Sequence, residues 1–307
     1  MNSISSKKVL TCTFFVLSIA FFYFYADSKE ILAQKEKLTK IASLNLAADE
    51  ILIEILEADN SLENLIAVST LTDQKEYSYV PLETAKKIPF RSNANLEKLI
   101  KLSPNLIFTA SFNRLSLVST LKKSGIKVKN LAHFNSLEDL YQNYLLIGKE
   151  IRRLKLSEDL VEKLKSSIKS TQKKFQVEDK AKQSVLVWLP DGTCIGKETL
   201  LNDVIKSCGG TNVLEKSQMT GWQKIPRERL ATFKPDWVIS SGDPKKKKKI
   251  LAQIKKTPIL KDFAAVRQEK IILLSPREMS TQSSHIIKTI NHVCQRLQKK
   301  TKQTKTA

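Results

Sequence analysis

The stretches NLEKLIKLSPNLIFTA (Asn95–Ala110) and PRERLATFKPDWVIS (Pro226–Ser240) decide the fold when one is laid over the other. In each, a Glu (Glu97, Glu228) stands where a short helix begins. An apolar ladder follows, then a proline at the same spacing (Pro104, Pro235), then an apolar run, Leu106–Phe108 or Trp237–Ile239. A carboxylate in a first helical turn suits the helix dipole, the proline forbids continuation of the helix, and a short unbroken apolar run reads as a buried strand. Two copies of one unit predict two lobes built on one plan.

Outward from these units the same alternation continues. Ile41–Leu44 and Leu65–Ser69 read as strands around a helix at 48–56, and a helix at 113–123 ends at Gly125 before a strand at 126–128. From Ser136 to Phe175 the residues are helix formers with Leu and Ile at three- and four-residue spacing, a helical connector. Beyond it, Ser184–Leu189 and Ile271–Leu274 read as strands, a helix at 200–207 closes at Gly209 and Gly210, and Ser284–Gln298 forms a last helix. The expected fold is α/β: two Rossmann-like lobes with parallel sheets joined by a long rigid helix, after an N-terminal signal or anchor. The expected boundaries are 1–37 for the signal or anchor with a polar stalk, 38–135 and 179–299 for the lobes, 136–178 for the connecting helix and 300–307 for a basic tail.

Lys7 and Lys8 precede an uncharged stretch, Val9–Ala26, rich in Phe, Leu, Val and Ile, which reads as an export signal. Phe24 is bulky where a peptidase prefers a small residue, and the stretch is just long enough to span a bilayer, so both cleavage and an uncleaved anchor stay open. Either places the bulk of the chain outside the cytoplasmic membrane. Cys12 lies within the segment. Cys194, Cys208 and Cys294 then sit in a disulfide-permissive setting, where one pair and one leftover thiol are expected. Histidines number three (His133, His285, His292) and no CxxC occurs, so a bare-metal site is not expected. The excess of 52 Lys and Arg over 31 Asp and Glu gives a net charge of +21, which raises polyanions as partners. Its lysines are scattered apart from Lys245–Lys249 and the tail, and no aromatic residues interleave with those runs. They read as solvated surface, and no nucleic-acid partner is expected. No nucleophile and base share a recognisable motif, so neither an enzyme nor a cofactor is expected.

At KIASLNLAADEILIEIL (Lys40–Leu56), NLIAVSTLTD (Asn64–Asp73), GKETLLNDVIKSCGGTNVL (Gly196–Leu214), GWQKIPRERLATFKPDWVIS (Gly221–Ser240) and AAVRQEKIILLSP (Ala264–Pro276), the sequence resembles the periplasmic binding proteins for cobalamin, ferric siderophores and haem that serve ABC importers. The second lobe is most similar to the cobalamin-binding members. The resemblance implies a ligand held between the lobes by loops at the strand ends, and delivery to a permease dimer in the cytoplasmic membrane. It implies that Trp222 packs on the ligand and that Cys208 pairs with Cys294, leaving Cys194 free. It also implies that Glu97 and Glu228 dock onto the permease. Where cobalamin binders carry further aromatics, this chain has Leu71, Arg91 and Ala110. Arg91 and Arg114 are candidates for carboxylate or catecholate oxygens of an iron chelate. Glu278 and His285 flank the last strand-end loop, with His285 read as a polar helix-start residue. The alternative function is a membrane-tethered ligand-binding or polyanion-binding module that takes no part in transport.

Overall fold

The computed structural model describes residues 40–92, 95–175 and 182–298; the signal, the stalk and the basic tail expected from the sequence lie outside these. In the first lobe the chain runs β1 (Ile41–Ser43), α1 (Leu46–Ala58), β2 (Leu65–Val68), α2 (Leu82–Lys87), β3 (Phe90–Arg91), α3 (Leu96–Lys101), β4 (Leu106–Ala110), α4 (Leu115–Lys123) and β5 (Lys127–Leu131). The five strands form one sheet in the order β3-β2-β1-β4-β5, and every pairing is parallel. Caps start the helices where polar residues meet apolar runs: the Asn45 side chain accepts from Ala48 N at 2.9 Å and that of Asn95 from Lys98 N at 2.8 Å, each worth about 1 kcal/mol. Ala42, Ala67 and Ile107 of the sheet bury against Leu99 and Leu121.

Two helices follow, α5 (Leu137–Glu150) and α6 (Leu154–Lys174). The connector is thus helical as expected, but made of two helices in place of one. Arg152 takes φ 61° between them, the left-handed position that usually falls to Gly or Asn and so gave no sign in the sequence. The pair folds back on itself: Lys165 Nζ lies 5.2 Å from the centre of the Tyr141 ring. Gly148 permits the close approach, since a Cβ there would collide with Ser157 Oγ. The 21-residue α6 remains the long helix between the lobes.

The second lobe contains β6 (Gln183–Val187), β7 (Thr193–Ile195), α7 (Leu200–Ser207), β8 (Gly210–Asn212), β9 (Trp222–Lys224), α8 (Arg227–Leu230), β10 (Trp237–Ser241), α9 (Lys247–Lys256), α10 (Ala264–Arg267), β11 (Ile271–Leu274), α11 (Pro276–Ser280) and α12 (Ile286–Leu297). Its parallel sheet has the order β11-β10-β6-β8, and β7 pairs antiparallel with β9 in a separate ribbon. Leu186, Val238 and Ile271 bury under Leu230, Ile254, Leu260, Phe263 and Val266. A disulfide joins Cys208, at the end of α7, to Cys294 in α12, and Cys194 is free and buried. The repeated unit stands as read, with α3-Pro104-β4 in one lobe and α8-Pro235-β10 in the other.

Candidate functional site

Because each sheet is parallel, its strands all end along one edge, and the loops leaving that edge are where an open α/β sheet receives a ligand. In the first lobe the turn after β2 is pinned from beneath by Asp49. Its carboxylate accepts from Ser69 N (3.0 Å), Ser69 Oγ (2.5 Å) and Thr72 Oγ1 (2.7 Å). Leu71, in that turn, is 38% exposed. After β4 the Asn113 side chain accepts from Ala110 N at 2.7 Å, which turns the chain sharply and leaves Phe112 68% exposed. Phe112 leans on Phe134, from the loop after β5, with ring centres 5.5 Å apart. Arg114 is exposed at the start of α4, and its guanidinium has no protein partner among the described residues.

Two expected ligand contacts are placed otherwise. Every N–H of the Arg91 guanidinium is already used: Asp73 Oδ2 and Oδ1 accept at 2.6 and 2.7 Å, and the carbonyls of Ala85, Ile88 and Phe90 accept at 2.9, 2.9 and 3.2 Å. Arg91 therefore staples the edge of its own lobe and has no donor left for a ligand. Ala110 is 1% exposed and offers only its backbone to the turn.

In the second lobe Trp222 lies in strand β9, not in a loop, opposite Ile195 of β7. Gly196 lets the preceding strap cross closely, because a Cβ would strike the Met219 carbonyl. Hydrogen bonds from Gly196 N to Gly221 O and from Lys197 N to Met219 O, at 2.8 and 2.9 Å, hold the strap there. Trp222 is left 58% exposed on a rigid ribbon.

The lobes meet through acids of α1 that sequence reasoning did not single out as a site. Glu50 reaches across: Oε1 accepts from Tyr79 N at 2.9 Å, and Oε2 from Ser283 Oγ at 2.6 Å and Thr281 Oγ1 at 3.2 Å. Glu54 Oε2 accepts from Tyr144 OH at 2.6 Å and Oε1 from Ser284 Oγ at 2.8 Å, while Tyr144 OH accepts from Ser284 N at 2.7 Å. Gln282 Nε2 donates to Phe134 O at 3.4 Å, which ties the segment after β11 to the loop behind Phe112. Burial pushes Asp49 up to about 6 and Glu54 up to about 7, and raises Glu50 as well. The visible signal was three acids inside the apolar run AADEILIEIL, with Glu50 and Glu54 on one helix face. His285 stands at the start of α12, with burial and the charge of Lys288 holding it neutral down to about 4. His292 Nδ1 lies 2.8 Å from Glu278 Oε1. Among the described residues no group of His, Cys, Asp and Glu is assembled to hold a metal ion.

Glu97 and Glu228 lie in the first turns of α3 and α8. Both are exposed, and neither has an ion-pair partner among the described residues.

Known proteins share this architecture. A structure from Staphylococcus epidermidis ATCC 12228, described as a possible iron-binding (periplasmic solute-binding) protein, superposes with a TM-score of 0.73 at 24% identity over 86% of this chain and 100% of that one. The apo periplasmic haem-binding protein RhuT of Roseiflexus sp. RS-1 gives 0.67 at 19% identity, over 84% of this chain and 98% of its own. The periplasmic vitamin B12-binding protein BtuF of Vibrio cholerae gives 0.64 at 16%, over 85% and 97%. In sequence, the uncharacterized ABC transporter substrate-binding lipoprotein YvrC of Bacillus subtilis (strain 168) is 23% identical over 210 residues, 66% of this chain and 65% of that protein. A cobalamin-binding protein of Halobacterium salinarum (strain ATCC 29341 / DSM 671 / R1) is 21% identical over 150 residues, 48% of this chain and 41% of its own. This chain thus spans less than two thirds of the length of either relative. Matched over residues 41–278, it belongs to the periplasmic binding protein family.

Proposed function

We propose that this chain is the substrate-binding protein of an ABC importer, taking an iron-siderophore, haem or cobalamin-type ligand between the strand-end loops of its two lobes. The carrying observation is that each lobe leaves an apolar ring or side chain exposed on a loop or ribbon next to its sheet. Leu71 and Phe112 sit on loops at the strand ends of the first lobe, and Trp222 sits on the ribbon that follows β6 in the second. Exposed aromatic surface on rigid supports suits a large, partly flat ligand. Phe112 supplies to the first lobe an aromatic face that Leu71, Arg91 and Ala110 do not. Arg114 supplies a free guanidinium for carboxylate or catecholate oxygens, a role Arg91 has no donors left to share. The solved relatives named for haem and vitamin B12 carry the same fold and support this choice of ligand class. Glu97 and Glu228 are the docking contacts for a permease dimer, and the N-terminal segment exports the chain and holds it at the outer face of the cytoplasmic membrane.

The direct test is native mass spectrometry of the protein purified from its own cell envelope, followed by titration with haem, cyanocobalamin and ferric siderophores while Trp fluorescence is read. A bound chelate and a saturable quench by one of them are expected. An envelope-purified protein free of ligand, silent to all three classes, overturns the reading.

A further inference from the structure

The second lobe holds a separate cavity of about 610 Å³, lined by Lys182, Ser184, Thr211, Lys216, Ser217 and Lys234 among others. It opens where the layer covering the sheet is incomplete. Ser184 and Thr211 stand side by side in register on neighbouring strands β6 and β8 and form its floor. The turn after β8 and the turn before β10 form its walls. A sheet face beneath a covering layer is ordinarily apolar, yet this floor is two hydroxyls. Three lysines rim it and, among the described residues, no carboxylate lines it.

The described acids nearby are already engaged. Asp236 Oδ2 accepts from Ser184 N and Oγ at 2.8 and 2.7 Å. Glu215 is held by Lys206 at 2.5 Å. Lys182, Lys216 and Lys234 are exposed and have no ion-pair partner among the described residues, and the hydroxyls of Thr211 and Ser217 have no hydrogen-bond partner there. Among the described residues the cavity thus gathers three lysines without an ion-pair partner and two hydroxyls without a hydrogen-bond partner around one volume, with Val213 and Phe233 as apolar wall. Point-charge lysines backed by hydroxyl donors suit a tetrahedral oxyanion. The volume is that of a small-molecule pocket, with room for more than a bare ion.

We propose that this cavity is a second ligand site, for a phosphoryl anion carried on a small polar group. It lies toward the starting ends of the strands, away from Trp222 and the strand-end loops, and does not depend on what those loops bind. Phosphoryl groups of this kind occur on soluble glycerol or sugar phosphates and on phospholipid headgroups, and the two sources separate by experiment.

The full-length protein is titrated at low ionic strength with sn-glycerol 3-phosphate by calorimetry. It is also floated with vesicles of phosphatidylglycerol and, as the reference for the N-terminal segment, of phosphatidylcholine. The pocket variant Lys182→Gln/Lys216→Gln/Lys234→Gln is compared with Lys247→Gln/Lys248→Gln/Lys249→Gln, which removes equal charge from α9. One-to-one binding of glycerol phosphate, weakened at least about tenfold in the pocket variant and retained in the α9 variant, identifies a soluble ligand. A selective loss seen only in the phosphatidylglycerol flotation identifies the headgroup. Equal weakening in both variants reduces the effect to net charge and overturns the site, as does the absence of saturable binding to either probe.

Discussion

Trp222 owes its exposure to backbone, not to chance: Gly196 lets the strap approach, and the β7-β9 ribbon fixes the indole at 58% exposure. Removing a ring that packs on a ligand face costs about 1 to 3 kcal/mol. Trp222→Ala and Phe112→Ala should each weaken chelate binding by that amount in calorimetry while leaving Tm within a degree or two, because neither ring is buried. An unchanged Kd for both would move the ligand away from the strand-end loops. Glu54 yields a different prediction. Its folded pKa of about 7 stands above the ordinary 4.5 because burial penalises the anion, so the folded state holds this proton more tightly than the unfolded chain does. The resulting stability is complete below pH 4.5 and is lost as pH rises through 7, about 3 kcal/mol in all and about 1 between pH 6.5 and 8. His285 acts in the opposite sense: its folded pKa, lowered from 6.5 to about 4, gives stability that is present above 6.5 and lost as pH falls toward 4. Between pH 8 and 6.5 the Glu54 carboxyl gains about 1 kcal/mol and His285 loses about half as much, so the carboxyl prevails. Tm should therefore rise on acidification across that window, and Glu54→Gln should flatten the rise. A Glu54→Gln profile parallel to the wild type would assign the effect to another group.

At the scale of elements, the disulfide is the longest covalent link in the second lobe. Cys208 ends α7 and Cys294 lies inside α12, so the bond closes a loop with a sequence separation of 86 and clamps the last helix to the end of α7. The chain-entropy argument sets about 4 to 5 kcal/mol as the upper limit of its stabilisation. Reduction, or Cys208→Ser with Cys294→Ser, should lower the unfolding free energy measured in urea by that much or less and raise the slope m, because the unfolded chain without the cross-link exposes more surface. Cys194 should stay unreactive in the folded protein, since burial pushes its thiol up to about 12 and leaves no thiolate at neutral pH. A disulfide recovered between Cys194 and either partner in unreduced peptide maps would contradict this pairing.

On the scale of the whole molecule, the chain is strongly basic at +21, yet each lobe presents, at the same step of its repeated unit, a Glu with no ion-pair partner among the described residues. Glu97→Lys with Glu228→Lys should leave chelate affinity unchanged and abolish uptake in vesicles carrying the cognate permease, at about 2 to 5 kcal/mol per broken contact. Uptake at the normal rate in the double variant would favour the tethered, non-transporting alternative. The α/β class and the doubled unit were legible in the sequence, because periodicity and proline act within a few residues along the chain, whereas the pairing of Cys208 with Cys294 came with the family resemblance. The connector hairpin was not, because its break rests on a left-handed Arg152 and on the contact of Gly148 with Ser157, and local propensity reports neither. Nor was the engagement of Arg91: a guanidinium looks the same in sequence whether its five N–H groups are free or taken by Asp73 and three carbonyls. The sequence by itself determined two lobes of parallel sheet and the family they belong to. Only the tertiary structure decided that Glu50 and Glu54 bind the lobes together, that Phe112 rather than Ala110 faces outward, and that three separated lysines rim one cavity. Those outcomes depend on which distant segments meet, and on how many donors and acceptors remain once they have met.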